Sequence, residues 1–174
     1  MPRSDPILIS GCDDTDWLDS VEIQPMRPAD LDEVLAIERA SFPSAWSRES
    51  YLRELRNRSS YYLVARLGGQ LIGYVGMWVV EEEAHITTLA VHPERRRRGL
   101  AQHLLHHLCA VARTRGVTEM TLEVRAGNRA ARELYRKCGF QEKGLLPRYY
   151  GDTGEDGTIM ARTLPHEGNS APER

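Results

Sequence analysis

The chain has 174 residues, which is the size of one ordinary domain and enough to bury a hydrophobic core. Its 41% hydrophobic and 28% charged residues are typical of a soluble globular protein, and a net charge of −2 argues against nucleic-acid binding. No apolar run approaches the roughly 18 residues that would span a membrane. Three scattered cysteines without a Cys-x-x-Cys pair argue against a disulfide framework and a zinc site, and they favour a reducing cytoplasm.

The patterning divides the chain into three parts. Residues 1–20 are acidic with little apolar periodicity, so we expect a loosely ordered extension in which Ile7–Ile9 or Trp17-Leu18 packs on the domain edge. Residues 21–164 form the predicted domain, and residues 165–174 read as a flexible tail.

Strand and helix patterns alternate along the domain. Hydrophobic periodicity and turn chemistry predict seven strands, over Val21–Met26, Tyr61–Arg66, Leu71–Val80, Ala84–Val91, Thr118–Val124, Phe140–Leu145 and Thr158–Thr163. The same reasoning predicts four helices, over Asp30–Ser41, from a Ser47 cap to about Asn57, Leu100–Arg115 and Arg129–Lys137. A polar loop is expected between the last two strands. This order predicts an α/β (α+β) fold, with a mixed sheet flanked by helices.

The stretch from Leu89 to Gln102 joins a strand to a helix through a basic loop that contains Gly99. Successive backbone N–H groups ahead of a helix N-terminus form an anion site, and neighbouring arginines add positive charge, so a pyrophosphate is the natural ligand. Composition alone leaves open a solvated basic turn. Nucleic acid is poorly supported, because the four arginines Arg95–Arg98 lack interleaved aromatic residues.

These residues resemble the acetyl-CoA signature of the GNAT superfamily of acetyltransferases. Arg96-x-x-Gly99-x-Ala101 matches the pattern R/Q-x-x-G-x-G/A, with alanine at the third position. The resemblance implies a GNAT fold with a mostly antiparallel seven-stranded sheet and acetyl-CoA as cosubstrate, with no metal. It also implies cofactor contacts along the bulged strand and the loop, at Leu89, Ala90, Val91, Arg96, Arg97, Arg98, Gly99, Leu100, Ala101 and Gln102.

A second stretch, from Leu122 to Phe140, carries an acid at the end of an apolar strand and a tyrosine near the end of a helix. Taken singly, Glu123 is compatible with a solvent-facing strand residue and Tyr135 with a half-buried aromatic. Together they resemble the ribosomal-protein-alanine acetyltransferases (the RimI type), whose motif reads L-E-V-R-x-x-N-x-x-A-x-x-L-Y-x-x-x-G-F.

That resemblance implies Glu123 as general base, Tyr135 as general acid, and Asn128 and Tyr135 as cofactor contacts. Acetyl transfer to an amine needs the attacking nitrogen neutral, so a carboxylate must accept its proton, and the departing thiolate can take a proton from a phenol. An α-amino group, with a pKa of about 7.7–8.0, needs a weaker base than lysine at about 10.4.

Two further elements resemble the N-terminal branch of the superfamily. Phe42-Pro43-x-x-Trp46-Ser47 is similar to the F-P-x-x-W-S element, and Tyr149-Tyr150 with Glu155–Met160 is similar to the Y-Y…E-D-A-x-x-M hairpin. The resemblance implies that Phe42, Trp46, Tyr149 and Tyr150 flank a slot for a peptide N-terminus, most simply the N-terminal alanine of a ribosomal protein. The stretch His85–Gln102 is at least as similar to Ard-type N-terminal acetyltransferases.

Alternatives remain open at this point. The four aromatic side chains also fit a purely structural role, and the acceptor could be a lysine or a small amine. A non-catalytic CoA-binding regulatory module is a second alternative. The acidic groups Glu81–Glu83, Asp152, Glu155 and Asp156 suggest a basic peptide as acceptor, or simply solvated turns. The oligomeric state is not determined by the sequence.

Overall fold

The computed structural model describes residues 16–165, which contain seven strands and four α-helices in the predicted order. The strands are β1 (Glu22–Pro25), β2 (Ser60–Leu67), β3 (Gln70–Val80), β4 (Glu83–Val91), β5 (Glu119–Arg125), β6 (Gln141–Tyr150) and β7 (Glu155–Thr163). The helices are α1 (Leu31–Ser41), α2 (Arg48–Arg56), α3 (Leu100–Thr114) and α4 (Arg129–Lys137). Short 3₁₀ turns cover Asp16–Ser20, Pro28–Asp30 and Pro93–Arg95.

The strands form one sheet in the order β1-β2-β3-β4-β5-β7-β6. Neighbouring strands are antiparallel except β4 and β5, which are parallel. This confirms the predicted mixed, mostly antiparallel sheet of seven strands. The parallel pair requires a crossover, and α3 supplies it between the end of β4 and the start of β5.

Two hydrophobic clusters cover the two faces of the sheet. The larger cluster packs α3 onto the sheet, because Leu100, Leu104, Leu105 and Leu108 recur at helical spacing and are all buried. The smaller cluster packs α1 and α2 onto the other face. The helix ends follow the expected chemistry: the Ser47 hydroxyl accepts a 3.1 Å hydrogen bond from the amide of Ser50 and caps α2.

The last hairpin is longer than the sequence predicted. The strand expected over Phe140–Leu145 continues to Tyr150, and the strand expected from Thr158 begins at Glu155, so the expected polar loop is wrong for most of its length. Pro147 and the glycines conceal the strand pattern in the sequence. The sheet accommodates them through two register shifts, and Arg148 adopts a φ of +50° within one of them.

The parallel pair β4–β5 is short, and this creates an opening in the sheet. Pairing runs from Glu83 opposite Glu119 to His85 opposite Thr121, after which the two strands separate. In the same region β4 bulges at Thr87, because Gly76 pairs with Thr88 while Met77 pairs with Ile86. Within residues 16–165 the structure contains no helix long and apolar enough to cross a bilayer.

Candidate active site

The separation of β4 and β5 opens a cleft of about 810 Å³. Its walls come from the loop between α1 and α2, from β4 and β5, from α4, and from the turn between β6 and β7. The predicted site residues among its lining are the catalytic Glu123 and Tyr135, the cofactor contacts Leu89 and Asn128, and the substrate contacts Phe42, Trp46, Tyr149 and Tyr150. Segments far apart in the sequence therefore meet at one opening in the sheet.

Glu123 lies in the cleft because of the alternation along β5. Met120, Leu122 and Val124 are buried in the larger cluster, so the intervening Glu123 points to the opposite face of the sheet. Its side chain is 26% exposed, and its Oε2 atom lies 2.8 Å from Nε2 of His85. A carboxylate placed here can exchange protons with a bound amine and with the imidazole.

His85 was not singled out in the sequence, yet it is the immediate partner of Glu123. Its Nδ1 atom lies 3.0 Å from the hydroxyl of Thr121, and its ring stacks at 5.1 Å on Trp78. The hydrogen-bond network fits an imidazole that donates from Nε2 to Glu123 and accepts at Nδ1 from Thr121. The signal in the sequence was alternation, since His85 stands between the apolar Ala84 and Ile86 on a predicted strand.

Tyr135 lies on α4 beside the cleft and is partly buried. Its ring packs edge-on against Phe140, with 5.8 Å between the ring centres. Burial raises the pKa of the Tyr135 phenol, and the neighbouring Tyr150 and Cys138 raise it further. The phenol is therefore protonated at neutral pH and can donate a hydrogen bond into the cleft.

The predicted cofactor loop follows β4 and leads into α3. Arg97 has a φ of +60° and Gly99 a φ of +85°, so two residues of the loop adopt the left-handed conformation. The amides of Leu100, Ala101 and Gln102 begin α3 and have no acceptor within the helix, since the first intrahelical bond runs from His103 to Gly99. These amides and the exposed side chains of Arg97 and Arg98 form a donor set that fits a pyrophosphate.

Arg96 has a different environment from its neighbours. Its Nε donates to the carbonyl of Val91 at 3.0 Å, and its Nη2 donates to the Ser41 hydroxyl at 3.0 Å. The side chain thus braces the loop against the end of β4 and the end of α1. Ala90 and Val91 are buried strand residues, so any ligand contact of theirs must use the backbone.

Asn128 caps α4, as its side-chain oxygen accepts a 3.1 Å hydrogen bond from the amide of Ala131. This fixes the helix that carries Tyr135. The side-chain NH₂ group of Asn128 remains as a donor at the edge of the cleft.

The wall of the cleft that carries Phe42 and Trp46 is held by a buried carboxylate, Glu38, which the sequence did not predict. Glu38 is 2% exposed and accepts hydrogen bonds from the Tyr51 hydroxyl at 2.8 Å, from the Tyr74 hydroxyl, and from the Trp46 amide at 3.0 Å. The Trp46 ring packs 5.3 Å from that of Tyr51. Glu38 therefore holds the loop that carries Trp46 against the sheet.

The opposite rim is the turn between β6 and β7, held by Arg125. The guanidinium of Arg125 donates to Asp152 at 2.7 Å and lies 4.1 Å from the ring centre of Tyr150. Burial raises the pKa of Tyr150 to about 12, partly offset by Arg125. Across the cleft, the Ser44 hydroxyl donates to the same Asp152 carboxylate at 3.3 Å, so the two rims touch.

The chain matches the family model described as "Acetyltransferase (GNAT) family" over residues 31–140. The chain belongs to the GNAT acetyltransferase family. It is therefore an acetyl-CoA-dependent N-acetyltransferase, which confirms the expected fold and enzyme class.

Named relatives show which members of the family this chain is similar to. The chain is 35% identical to the ribosomal protein bS18-alanine N-acetyltransferase of Escherichia coli strain K12, covering 80% of this chain and 95% of the relative. The solved structure of the ribosomal-protein-S18-alanine N-acetyltransferase from Escherichia coli superposes with a TM-score of 0.77 at 31% identity, over 86% of this chain and 98% of the other. Ard1 from Thermoplasma volcanium superposes with a TM-score of 0.79 at 26% identity, over 84% and 99%.

Two other features noted in the sequence are the acidic residues of the last hairpin and the absence of metal-binding motifs. The acidic groups of the last hairpin have partners within the fold: Asp152 pairs with Arg125, Glu155 accepts from the Gly127 amide at 3.0 Å, and Asp156 accepts from the Arg148 amide at 2.8 Å. All three carboxylates therefore have contacts within the fold. The described residues contain no group of three or more side chains suited to a metal ion.

The cysteines that the structure describes are not placed for catalysis. Cys109 and Cys138 are buried in the larger cluster, and burial raises the pKa of both thiols. Cys12 lies outside the described residues. Neither of these two buried thiols is placed to form an acyl intermediate.

Proposed function

We propose that this GNAT enzyme acetylates the α-amino group of a protein N-terminus, with the N-terminal alanine of a ribosomal protein as its substrate. The observation that carries the proposal is the Glu123–His85 pair, 2.8 Å apart, at the opening between β4 and β5 and between two aromatic rims. The similarity to the Escherichia coli bS18-alanine N-acetyltransferase supports the choice of acceptor. The reaction would take place in the cytoplasm, where new ribosomal proteins are made.

Acetyl-CoA supplies the acetyl group as a thioester. In the proposal the loop amides from Arg97 to Gln102 and the arginine side chains hold its pyrophosphate, and the backbone of β4 from Leu89 to Val91 aligns the pantetheine arm. This orientation presents the thioester carbonyl at the opening beside Glu123 and Tyr135. Backbone N–H groups of β4 near Val91 polarise that carbonyl.

Glu123 removes a proton from the ammonium form of the acceptor, directly or through water, and the hydrogen bond from His85 holds the carboxylate in position. The neutral nitrogen then attacks the carbonyl carbon, and the carbon–sulfur bond breaks as the amide forms. Tyr135 donates a hydrogen bond to the departing sulfur and supplies its proton. The second proton of the attacking nitrogen passes through water to the phenolate that Tyr135 leaves, and the proton taken by Glu123 leaves to solvent, so both residues return to their starting state.

The rims explain why an N-terminus fits better than an internal lysine. Phe42 and Trp46 on one side and Tyr149 and Tyr150 on the other leave a slot that an extended chain end can enter. The α-amino group also needs less help from a base, because its pKa of about 7.7–8.0 lies close to neutral pH.

The test is a panel of acceptors incubated with acetyl-CoA, followed by free thiol release and peptide mass. The panel contains Ala-, Ser- and Met-starting peptides with free N-termini, N-blocked lysine peptides, and small amines. Acetylation of free N-termini with preference for Ala-starting ribosomal peptides is expected. Activity confined to lysine or small amines would overturn the acceptor assignment and leave the GNAT fold intact.

The same assay tests Glu123 and its hydrogen-bond partner His85. Glu123→Gln keeps the shape but removes the base, so we expect kcat to fall by about 10²–10⁴. His85→Gln should lower kcat less, because it removes only the partner of the base. Glu119→Gln is the matched control, since it lies on the same strand and is exposed at the far end from the cleft. An unchanged kcat in Glu123→Gln would remove this residue from the mechanism.

A further inference from the structure

The short 3₁₀ turn Asp16–Ser20 lies ahead of residue 31, where the match to the family begins, and it contacts the cofactor loop. The indole N–H of Trp17 donates to the carbonyl of Arg98 at 3.2 Å, and the guanidinium of Arg98 lies 4.7 Å from the centre of the Trp17 ring. A β-carbon added at Gly99 would lie 3.6 Å from the Cδ1 atom of Leu18. Trp17 therefore contacts Arg98, and Leu18 lies beside Gly99.

The loop has a conformation that requires support. Arg97 at φ +60° and Gly99 at φ +85° flank Arg98, and a non-glycine residue in the left-handed region is strained unless its surroundings fix it. Arg96 anchors the start of the loop to Val91 and Ser41. The indole of Trp17 anchors the middle of the loop, at the carbonyl between the two left-handed residues.

The turn Asp16–Ser20 also packs on the rest of the protein, so it can hold the loop in its conformation. Trp17 and Leu18 are partly buried and pack against the larger hydrophobic cluster. The amide of Val21 donates to the carbonyl of Leu18 at 3.0 Å, which joins the turn to the start of β1. An exposed arginine-rich loop thus gains a rigid neighbour outside the part of the chain that matches the family.

We infer that Trp17 and Leu18 form an N-terminal clamp that positions the loop, and with it the Arg98 side chain, for the phosphate groups of CoA. Trp17 is a positioning residue, because it acts through the Arg98 carbonyl and guanidinium. The stacked ring holds the guanidinium in one orientation, which lowers the cost of ordering it when a phosphate binds. The inference rests on the proposed cofactor site and extends it to residues outside the matched domain.

The test measures the Kd of CoA by calorimetry in the absence of acceptor, so it does not depend on turnover. Trp17→Ala removes both the hydrogen bond and the ring, and we expect the Kd of CoA to rise roughly three- to tenfold, the range of one lost hydrogen bond. Trp17→Phe keeps a ring for Arg98 and should recover part of the affinity. With an active acceptor, the KM for acetyl-CoA should rise while the KM for peptide and kcat at saturation stay unchanged.

Arg115→Ala is the matched control. Arg115 lies over the ring of Tyr61 at 4.8 Å, so it makes the same type of contact at the opposite end of α3. We expect this variant to leave the Kd of CoA unchanged. The clamp is excluded if a folded Trp17→Ala binds CoA like wild type, or if Arg115→Ala weakens CoA as much.

The outcomes separate this inference from the proposed function. Wild-type protein that binds CoA but acetylates no peptide would overturn the acceptor proposal, and the Kd comparison would still decide on the clamp. Wild-type protein that does not bind CoA would overturn the cofactor site and the clamp together.

Discussion

On the proposed cofactor side of the site, six consecutive residues from Arg97 to Gln102 would supply the donors, and most of these are backbone amides. On the acceptor side, the slot is assembled from side chains of α1, the loop after it, β5, and the hairpin of β6 and β7. The first side depends on the path of one short segment, whereas the second depends on contacts between segments up to 108 residues apart, as between Ser44 and Asp152. A substitution in the first should therefore act through backbone conformation, and one in the second through lost contacts.

After Glu123→Gln, the largest expected effect lies where the two sides meet, at Tyr135. Tyr135→Phe keeps the ring that packs on Phe140 and removes only the hydroxyl, so we expect kcat to fall by roughly 10²-fold with no change in the Kd of CoA. The raised pKa of the Tyr135 phenol keeps it protonated well above neutral pH, so wild type should show no loss of rate from this group between about pH 7 and 10. A variant with normal kcat would show that solvent protonates the departing thiolate.

The next prediction tests whether CoA binding depends on the backbone conformation of the loop. Gly99→Ala forces an L-residue to a φ of +85°, at a cost of about 1–2 kcal/mol, so we expect CoA binding to weaken by about tenfold while the KM for peptide is unchanged. Space is not the obstacle, because the nearest atom to the added carbon is 3.6 Å away.

Gly116→Ala provides the control for this substitution. Gly116 has a φ of +77° and open space around it, and it lies at the other end of α3. It should lose similar stability with no change in CoA binding. Equal losses of CoA affinity in both variants would show that strain in the loop does not determine CoA binding.

A smaller effect is expected on the acceptor side from Glu38→Gln. The amide keeps only one acceptor oxygen, so either the Trp46 amide, which donates to Oε1, or the two tyrosine hydroxyls, which both donate to Oε2, lose their acceptor, at a cost of about 1–3 kcal/mol in the free energy of unfolding. Because Glu38 also holds the Trp46 amide, we expect the KM for peptide to rise severalfold with the Kd of CoA unchanged. Peptide kinetics together with chemical unfolding would measure both, and a rise in the Kd of CoA instead would contradict the division into two sides.

The last prediction concerns the pH dependence of stability. Burial raises the pKa values of Tyr51, Tyr62 and Tyr74, all in the cluster under α1 and α2. A raised folded pKa stabilises the protein fully below the unfolded pKa of about 10 and loses that contribution as the pH rises from there towards the folded pKa. We therefore expect the free energy of unfolding to fall between about pH 10 and pH 11, with tyrosinate absorbance from these three residues appearing only on unfolding. Tyrosinate absorbance from these groups in the folded protein would contradict this.

The difference between the two sides also explains how much the sequence could predict. The fold, the Ser47 cap and the loop from Arg96 to Gln102 follow from local patterns that can be read from neighbouring residues. His85 and Glu38 were missed because their partners are far along the chain: His85 contacts Thr121 and Glu38 contacts Tyr74, each 36 residues away. The bulge at Thr87 and the long β6 strand depend on pairing with other strands, which a single stretch of sequence does not reveal.

The position of Arg96 gives the two sides a thermodynamic connection. One guanidinium holds the end of β4 at Val91 and the last residue of α1, Ser41, which directly precedes Phe42 at the rim of the slot. A ligand that orders the loop therefore biases the conformation of the rim, and by linkage a peptide at the rim favours the ordered loop to the same degree. Since the contact with Ser41 is one exposed hydrogen bond, the coupling free energy is small. Cofactor and peptide should each bind on their own, and each modestly tighter in the presence of the other.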